Sequence, residues 1–293
     1  MFFFPDKKTK VLFQGITSVM GRWQTEEALK YGTNLVAGVS QEIKGNLDGK
    51  VSLYPTVAKA VRSKRPQVSV VFSTPEKALP DVLEAVKAKI PLIICTTEHV
   101  PMHDALKMKM VAQKAKVTLL GPSSAGILNV ENAIAGTIPT SLFKAGNVAV
   151  IGRSSSLMFE AVSQLNAQGL GVSKCVSLGA DHLIGTSFLP VIEALFNDKK
   201  TEAILVVGQV HGTLEQELAS FYKKKHPKKI FVYIPGKALI RSDKFPLLGM
   251  KSVLFSDVIQ DKKMALKQAG LLWIESPEKI GKTIFDTLKG KRK

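Results

Sequence analysis

Cysteine is scarce in this chain of 293 residues, which contains only Cys95 and Cys175. Both cysteines stand in apolar runs, so we expect two buried reduced thiols, with one disulfide as the alternative. No apolar run approaches the roughly 20 residues that a membrane-spanning helix needs, and residues 1–6 are too few for the core of a signal peptide. We therefore expect neither membrane insertion nor secretion, which leaves the bacterial cytoplasm or the mitochondrial matrix.

Acidic residues are also few, because 24 Asp and Glu stand against 41 Lys and Arg, which gives a net charge of +17. The lysines gather at residues 7–10, 107–116, 223–229 and 289–293. This excess points to nucleic acid, an anionic cofactor or an acidic partner, while the simpler interpretation of each cluster is a solvated helix end. No arginine–aromatic platform of the kind that binds RNA accompanies the clusters, so nucleic acid contact through them rests on charge alone.

The first half of the chain alternates short apolar runs with helical patterns. This alternation predicts a parallel sheet, because each strand must return through a crossover helix. The predicted strands are residues 11–14, 35–39, 68–72, 92–95 and 117–120, and the predicted helices are residues 26–31, 56–63, 77–89 and 102–114. We expect a Rossmann-like domain over residues 1–131.

A second alternating series predicts a flavodoxin-like domain over residues 147–293. Its predicted strands are residues 148–151, 175–178, 203–207 and 230–234, and its predicted helices are residues 156–168, 189–197, 213–225 and 277–288. Residues 132–146 contain glycine and proline but no sustained period, which predicts a linker between the domains. The expected fold class is therefore α/β, with two domains.

Two turns between a strand and a helix have the composition of anion sites. Gly15, Thr17 and Ser18 follow the first predicted strand, where backbone N–H groups and the positive end of a helix meet. In the second domain, Arg153 precedes three serines, Ser154, Ser155 and Ser156, which predicts a site for a phosphoryl group. The alternatives are a tight turn without a ligand at the first position and a serine-rich helix cap at the second.

Two further loops end predicted strands of the first domain, residues 96–101 and residues 121–126. Open α/β sheets place their ligands at the carboxyl ends of strands, so these two loops predict a cleft. Glu98 and His99 in the first loop are candidates for the cleft or, alternatively, for ordinary capping groups.

Together these segments resemble the α subunit of succinyl-CoA synthetase (succinate–CoA ligase) from about residue 6 to residue 288. The resemblance is carried by Thr9-Lys10-Val11, Gln14-Gly15-Ile16-Thr17, Tyr31-Gly32-Thr33, Gly38-Val39-Ser40, Thr97-Glu98-His99-Val100-Pro101, Gly121-Pro122, Arg153-Ser154, Glu160-Ala161-Val162, Gly179-Ala180-Asp181, Thr201-Glu202-Ala203-Ile204 and Tyr233-Ile234-Pro235-Gly236. It implies an N-terminal CoA-binding Rossmann domain, a flavodoxin-like ligase domain and a partner β subunit that binds the nucleotide. A larger heteromeric assembly is the alternative to the β-like partner.

The resemblance also implies which residues contact CoA. They are Gly15, Thr17, Ser18, Val19, Met20, Val39, Lys44, Thr97 and Glu98. The loop after the second strand departs from the family pattern Val-Thr-Pro-Gly-Lys-Gly, because it shifts the lysine to Lys44 and introduces Glu42. We therefore expect CoA to be the cofactor, bound at a weakened site.

In that family a histidine within Gly-His-Ala-Gly is phosphorylated, passes the phosphoryl group to succinate, and CoA takes the acyl phosphate. The resemblance places Leu247 at this histidine and Gln209 at the glutamate that orients it. Ser123 replaces an asparagine of the family, and Ser155 replaces a glycine. Leucine cannot accept a phosphoryl group, so we expect a catalytically impaired α-subunit-like protein that serves as a CoA-binding, regulatory or structural subunit.

Two alternatives remain. His182 and His211 border the implied active site and could accept a phosphoryl group in an acid–CoA ligase of altered mechanism or specificity. The scaffold could also have been recruited into a basic organelle or ribonucleoprotein assembly. No set of His, Cys and Asp has the spacing of metal ligands, so we expect no metal in this chain, and no Ser/His/Asp triad can be recognised.

Overall fold

The computed structural model describes residues 2–40, 45–47, 49–222, 226–236 and 255–290, and these residues form two α/β sheets. The first sheet contains β1 (Val11–Gln14), β2 (Leu35–Val39), β3 (Gly45–Leu47), β4 (Val51–Tyr54), β5 (Val68–Val71), β6 (Leu92–Cys95) and β7 (Thr118–Leu120). Its helices are α1 (Val19–Tyr31), α2 (Val57–Lys64), α3 (Pro75–Lys87) and α4 (Met102–Ala115). The strand order is β3-β4-β2-β1-β5-β6-β7, and every neighbouring pair is parallel except β3 with β4.

The second sheet contains β8 (Gly126–Asn129), β9 (Ala133–Gly136), β10 (Ala145–Gly152), β11 (Val172–Ser177), β12 (Ala203–Val207), β13 (Lys229–Tyr233) and β14 (Leu272–Trp273). Its helices are α5 (Ser155–Ala167), α6 (Phe188–Asn197), α7 (Leu214–Phe221), α8 (Phe255–Gln268) and α9 (Ile280–Lys289). The strand order is β14-β13-β12-β10-β11-β8-β9, in which β8 runs antiparallel to both of its neighbours. The predicted α/β class with two parallel-type sheets is confirmed.

Helices cover the central strands of both sheets, and the sequence explains why. The strands β6 and β12 are continuous apolar runs whose residues are all buried, and β5 departs from this only at the buried Ser69, which is typical of parallel strands covered on both faces. Helix α1 begins at Val19 rather than at the predicted residue 26. The prediction missed its first turns because their apolar side chains, Val19, Met20 and Trp23, are exposed and show no core-facing period. Cys95 and Cys175 are buried free thiols, as expected, and burial raises the pKa of Cys95 to about 11.

The segment predicted as a linker contains β9, so the second sheet begins at Gly126, before residues 132–146. Strands β8 (Gly-Ile-Leu-Asn) and β9 (Ala-Ile-Ala-Gly) were missed because glycine or asparagine interrupts their apolar runs. Gly126 and Gly136 have φ of +92° and +135°, and a Cβ on either would lie 2.0 Å from the carbonyl oxygen of Ala135 or 2.2 Å from that of Ala125, respectively. The two glycines therefore allow the backbones of this hairpin to approach.

Hydrogen bonds join the two sheets. The hydroxyl of Thr33, after α1, donates to the carbonyl oxygen of Ile134 on β9 and accepts from its N–H, both at 3.0 Å. The hydroxyl of Ser124 donates to the carbonyl oxygen of Ser177 on β11 at 2.6 Å. These bonds tie Thr33 and Ser124, both before the second sheet in the chain, to that sheet. Within the described part of the chain, no helix combines the length and the apolar character needed to cross a membrane.

Candidate functional site

The first sheet carries a cavity of about 630 Å³ at the carboxyl ends of its central strands. The side chains and backbone that line it include Gln14, Gly15, Thr17, Ser18, Val39, Ser40, Thr56, Phe72, Ser73, Thr74, Lys77, Asp81 and Glu84. Four of the predicted contacts, Gly15, Thr17, Ser18 and Val39, thus lie in one cavity. Its volume lies within the usual range of small-molecule sites, which is about 300–1,000 Å³.

The turn between β1 and α1 is tightly folded against the floor of this first cavity. Gly15 has φ of +70°, and a Cβ added there would lie 2.4 Å from the carbonyl oxygen of Phe72. The hydroxyl of Ser18 donates to the carbonyl oxygen of Gly15 at 2.8 Å and accepts from the N–H of Gly21 at 3.0 Å. Ser18 is therefore the N-cap of α1, and the N–H groups of Val19 and Met20 have no partner within the helix.

A half-buried carboxyl lies in the same cavity and was missed in the sequence. Asp81 on α3 accepts a short hydrogen bond from the hydroxyl of Ser73. Burial raises the pKa of Asp81 above its ordinary value, while the hydrogen bond from Ser73 and the charge of Lys77 oppose the rise. The backbone of Asp81 is also held, because its carbonyl oxygen accepts from the side-chain amide of Gln14 at 2.9 Å.

The other predicted CoA contacts lie elsewhere. Val19 is 90% exposed, and Met20 is also exposed beside the turn. Thr97 is buried, and its hydroxyl donates to the carbonyl oxygen of Ser73 at 2.8 Å. Glu98 lines a second cavity, described below. Lys44 lies outside the described residues.

A second cavity, of about 310 Å³, lies where the two sheets meet. It is lined mainly by hydroxyl groups, together with one carboxylate and one amide: Thr96, Glu98, Ser123, Ser124, Ala125, Thr137, Ser154, Ser155, Ser156, Phe159, Ala180 and Gln209. The loops at 96–101 and 121–126 therefore line one cleft, as their positions predicted.

Helix α5 begins at the wall of the second cavity. The hydroxyl of Ser154 accepts from the N–H of Leu157 at 3.5 Å, so Ser154 is the N-cap. The hydroxyl of Ser155 lies 3.3 Å from that of Ser177. Because the positive end of the helix and several hydroxyl groups share this cavity, its chemistry suits a carboxylate or a phosphoryl group.

Arg153 was predicted to bind a phosphoryl group together with Ser154, Ser155 and Ser156. The three serines line the second cavity, but Arg153 does not. Its side chain is 3% exposed, and it donates to the carbonyl oxygens of Gly179 and Asp181. Two of its donor groups thus hold the loop after β11. Burial lowers the pKa of Arg153, while the charges of Glu215 and Asp181 oppose this.

Gln209 is held in the wall of the second cavity by a buried ion pair. Lys262 on α8 and Glu215 on α7 are both fully buried and lie 2.6 Å apart. The other oxygen of Glu215 accepts from the N–H of Gln209 at 2.9 Å, and Lys262 donates to the carbonyl oxygens of Gln209 and His211 at 2.9 and 3.4 Å. The pair therefore holds the loop 208–212 through the N–H of Gln209 and the carbonyl oxygens of Gln209 and His211.

His182 and His211 come together at the ends of β11 and β12, where their ring centroids lie 5.7 Å apart. Asp181 precedes the first ring, and one of its carboxylate oxygens is buried without a hydrogen-bond partner among the described residues. Burial raises the pKa of Asp181, while His99, His182 and Arg153 lower it. Leu247 lies outside the described residues. Among the residues that the structure describes, no three His, Cys, Asp or Glu side chains are grouped so that they could hold a metal ion.

Two family models match the chain. Residues 6–99 match the CoA binding domain, and residues 145–284 match the succinyl-CoA ligase like flavodoxin domain. The α subunit of the ADP-forming succinate–CoA ligase from Staphylococcus epidermidis is 33% identical over 98% of this chain and 95% of its own length. The corresponding subunit from Staphylococcus aureus is 32% identical over the same shares.

Solved structures show the same fold. The ATP citrate lyase of Methanothrix soehngenii, in complex with citrate and coenzyme A, matches with a TM-score of 0.83 at 21% identity. The match covers 99% of this chain, which spans about half the length of that enzyme chain, 51%. The dinucleotide-forming acetyl-coenzyme A synthetase 1 of Ca. Korarchaeum cryptofilum matches with a TM-score of 0.73 at 19% identity over 92% of this chain and 58% of its own. With both domains matched in this order, the chain belongs to the family of succinate–CoA ligase α subunits.

Proposed function

We propose that this chain is a CoA-binding, α-subunit-like protein of a heteromeric assembly that does not carry out the phosphohistidine step of its family. The observation that supports CoA binding is the first cavity, which is lined by the β1–α1 turn with Gly15, Thr17 and Ser18. Its relatives are subunits of a ligase, which supports a protein partner. The same bacterial relatives favour the bacterial cytoplasm over the mitochondrial matrix.

The residues of the first cavity fit CoA by their chemistry. The free N–H groups at the start of α1, the hydroxyls of Thr17 and Ser18, and the Lys77 ammonium are donors for a pyrophosphate. Gly15 lets the turn pack against the backbone of Phe72, and Phe72 offers an apolar wall. When bound, CoA would supply a thiol.

The loss of the phosphohistidine step is supported by the sequence and by the second cavity. Leu247 has no atom that accepts a phosphoryl group. Gln209, which lines the second cavity, presents an amide where the family resemblance implies a carboxylate, so it can orient a group but cannot balance the charge of an imidazolium. The cavity would still hold a carboxylate or phosphate at the start of α5 without passing a phosphoryl group onward.

Calorimetry with CoA tests the binding part. We expect the wild-type chain to bind CoA, and Lys77→Ala to weaken binding about tenfold because a charged contact to phosphate is lost. Lys87→Ala, an exposed lysine at the other end of α3, is the matched control and should leave the affinity unchanged. Equal effects of the two variants, or no CoA binding at all, would contradict the proposal.

Phosphorylation with labelled ATP and a succinate–CoA ligase β subunit tests the catalytic part. The wild-type chain should acquire no acid-labile phosphate and form no succinyl-CoA. The double variant Leu247→His with Gln209→Glu restores the residues that the family resemblance implies, and a gain of acid-labile label in this variant alone would support the proposal. Label or succinyl-CoA in the wild-type chain would refute it.

The contact between His182 and His211 favours a second candidate function, an acid–CoA ligase in which one of these imidazoles accepts the phosphoryl group. The supporting observation is that the two rings lie together and that each histidine is two residues from a lining residue of the second cavity, Ala180 or Gln209. If this candidate is correct, the wild-type chain is labelled and the double variant His182→Gln with His211→Gln is not. The exposed His103 supplies the control, because His103→Gln should keep the label. Metal independence, nucleic acid contact and recruitment as a scaffold stay predictions.

A further inference from the structure

Helix α4 has an apolar face that no described residue covers. Met102, Leu106 and Met110 are 64%, 43% and 60% exposed. Because they are spaced four residues apart, they lie along one side of the helix, and we call them the α4 stripe. A different side of α4 packs into the core through Ala105, Met108 and Ala112. The α4 stripe is therefore not needed to hold the helix on its own domain.

Lysines border the α4 stripe. At about 100° per residue, Lys107 and Lys114 lie along one edge of the stripe and Lys109 along the other. Among the described residues, none of these three lysines forms an ion pair. The single acidic residue of α4 is Asp104, which lies 3.7 Å from His103. The surface around the α4 stripe is thus apolar at its centre and positive at its edges.

This combination discriminates among the partners that a basic surface could bind. A phosphate backbone is matched by lysines, but it leaves three exposed apolar side chains without a contact. Helices that lie in a membrane surface bury Trp, Phe and Leu, whereas two of the three side chains here are methionines. Methionine side chains are flexible and polarisable and are frequent on surfaces that accept helices.

We propose that the α4 stripe is a docking surface for an acidic amphipathic helix of a protein partner. Apolar side chains of that helix would cover Met102, Leu106 and Met110, and its Asp or Glu residues would face the bordering lysines. The α4 stripe extends over eight residue steps, about 12 Å, so two to three turns of a partner helix are enough to cover it. None of its residues lines either cavity, so the inference stands apart from the proposed function.

The probe for the test is a fluorescent synthetic helix of about four turns with leucine at positions i, i+4 and i+7 and glutamate along both flanks, and its binding to the full chain is followed by anisotropy. We expect the wild-type chain to bind it. The triple variant Met102→Ser, Leu106→Ser, Met110→Ser should weaken binding at least about tenfold. The matched control, Phe221→Ser with Met264→Ser, removes exposed apolar side chains from α7 and α8 and should leave binding unchanged.

Charge reversal provides the second measurement. Lys107→Glu with Lys114→Glu should weaken binding of the same probe, and the loss should shrink as salt is added, because exposed charges are screened. Lys199→Glu with Lys200→Glu reverses two exposed lysines elsewhere and is the control. All the substituted side chains are on the surface, so unchanged thermal unfolding verifies that each variant is folded.

Three results would overturn the proposal. The first is a wild-type chain that does not bind the probe, and the second is a triple serine variant that binds it as well as the wild type. The third uses competing partners: vesicles of phosphatidylcholine and phosphatidylserine in equal parts, and a 20-nucleotide single-stranded DNA. If either binds more tightly than the helix and loses binding in the triple serine variant, the α4 stripe serves a membrane or nucleic acid instead.

Discussion

The hydroxyl of Thr97 donates a 2.8 Å hydrogen bond to the carbonyl oxygen of Ser73, and this bond joins the walls of the two cavities. Ser73 lines the first cavity, while Thr96 and Glu98, on either side of Thr97, line the second. The carbonyl oxygen of Thr97 accepts in turn from the N–H of Ser123 at 2.8 Å. Thr97 therefore fixes the distance between the proposed CoA site and the hydroxyl-lined cavity.

Replacing Thr97 by valine should disturb both cavities while keeping the side-chain shape. The carbonyl oxygen of Ser73 would lose its partner, which costs about 1–3 kcal/mol when a buried group stays unsatisfied. We expect a lower free energy of unfolding in urea together with weaker CoA binding by calorimetry. Thr287→Val also removes a hydroxyl-to-carbonyl bond, to Thr283 within α9, and because neither residue lines a cavity this variant should leave CoA binding unchanged.

Replacing Gly15 by alanine should abolish CoA binding. At φ of +70° a side chain costs about 1–2 kcal/mol, and the new methyl would also meet the carbonyl oxygen of Phe72 at 2.4 Å. Gly169 has φ of +68°, but a Cβ there would find nothing within 4 Å. Gly169→Ala thus carries the strain without the clash. A loss of stability in Gly15→Ala no larger than in Gly169→Ala would contradict this account of the turn.

The sequence revealed those parts of the fold in which local pattern and burial agree. Strand β6 could be predicted to the residue, because Leu-Ile-Ile-Cys is a short apolar run between turn residues and is buried on both faces. Strands β3 and β9 could not, because they are short, contain glycine and gain their stability from pairing with β4 and β8. Helix α8 was also missed, although its apolar period is no weaker than those of α4 and α5, which were predicted.

The same contrast holds for the site. Gly15 and Ser18 could be predicted because a glycine and a cap residue between a strand and a helix have a local signature. Asp81 could not, since it lies in the second turn of α3 and reaches the first cavity only through the packing of α3 on the sheet. Arg153 has the sequence context of a phosphate-binding residue, yet burial directs its donors to the backbone carbonyls of the neighbouring loop.

Breaking the buried ion pair should have one of the larger effects on stability. Lys262→Met leaves the Glu215 carboxylate buried without a counter-charge and should lower the free energy of unfolding by about 3–5 kcal/mol in urea titrations. Adding Glu215→Leu removes the uncompensated charge, so the double variant should recover part of the loss. Lys263, on the same helix as Lys262, forms a partly exposed ion pair with Glu275 after β14, and Lys263→Met should cost about 1 kcal/mol or less.

The pH dependence of stability should distinguish Asp81 from Asp198. Burial raises the pKa of Asp81 in the folded chain above its ordinary value of 3.8. The protonated carboxyl therefore makes its full contribution to stability below pH 3.8, and this contribution is lost as the pH rises through the raised pKa of the folded chain. Asp81→Asn should therefore become more stable than the wild type as the pH increases above about 4, because asparagine still accepts from Ser73 without carrying a charge.

Asp198 provides the opposite sign in the same chain. Burial acts to raise its pKa, but hydrogen bonds from Thr201 and Lys174 outweigh burial and hold the pKa below 3.8. Its contribution to stability is present above that value and is lost as the pH falls through the lowered one, so Asp198→Asn should be less stable than the wild type at neutral pH and approach it in acid. Urea midpoints of both variants across the acid-to-neutral range measure the two slopes. Parallel slopes would show that Asp81 is stabilised as an anion, contrary to the raised pKa that its burial predicts.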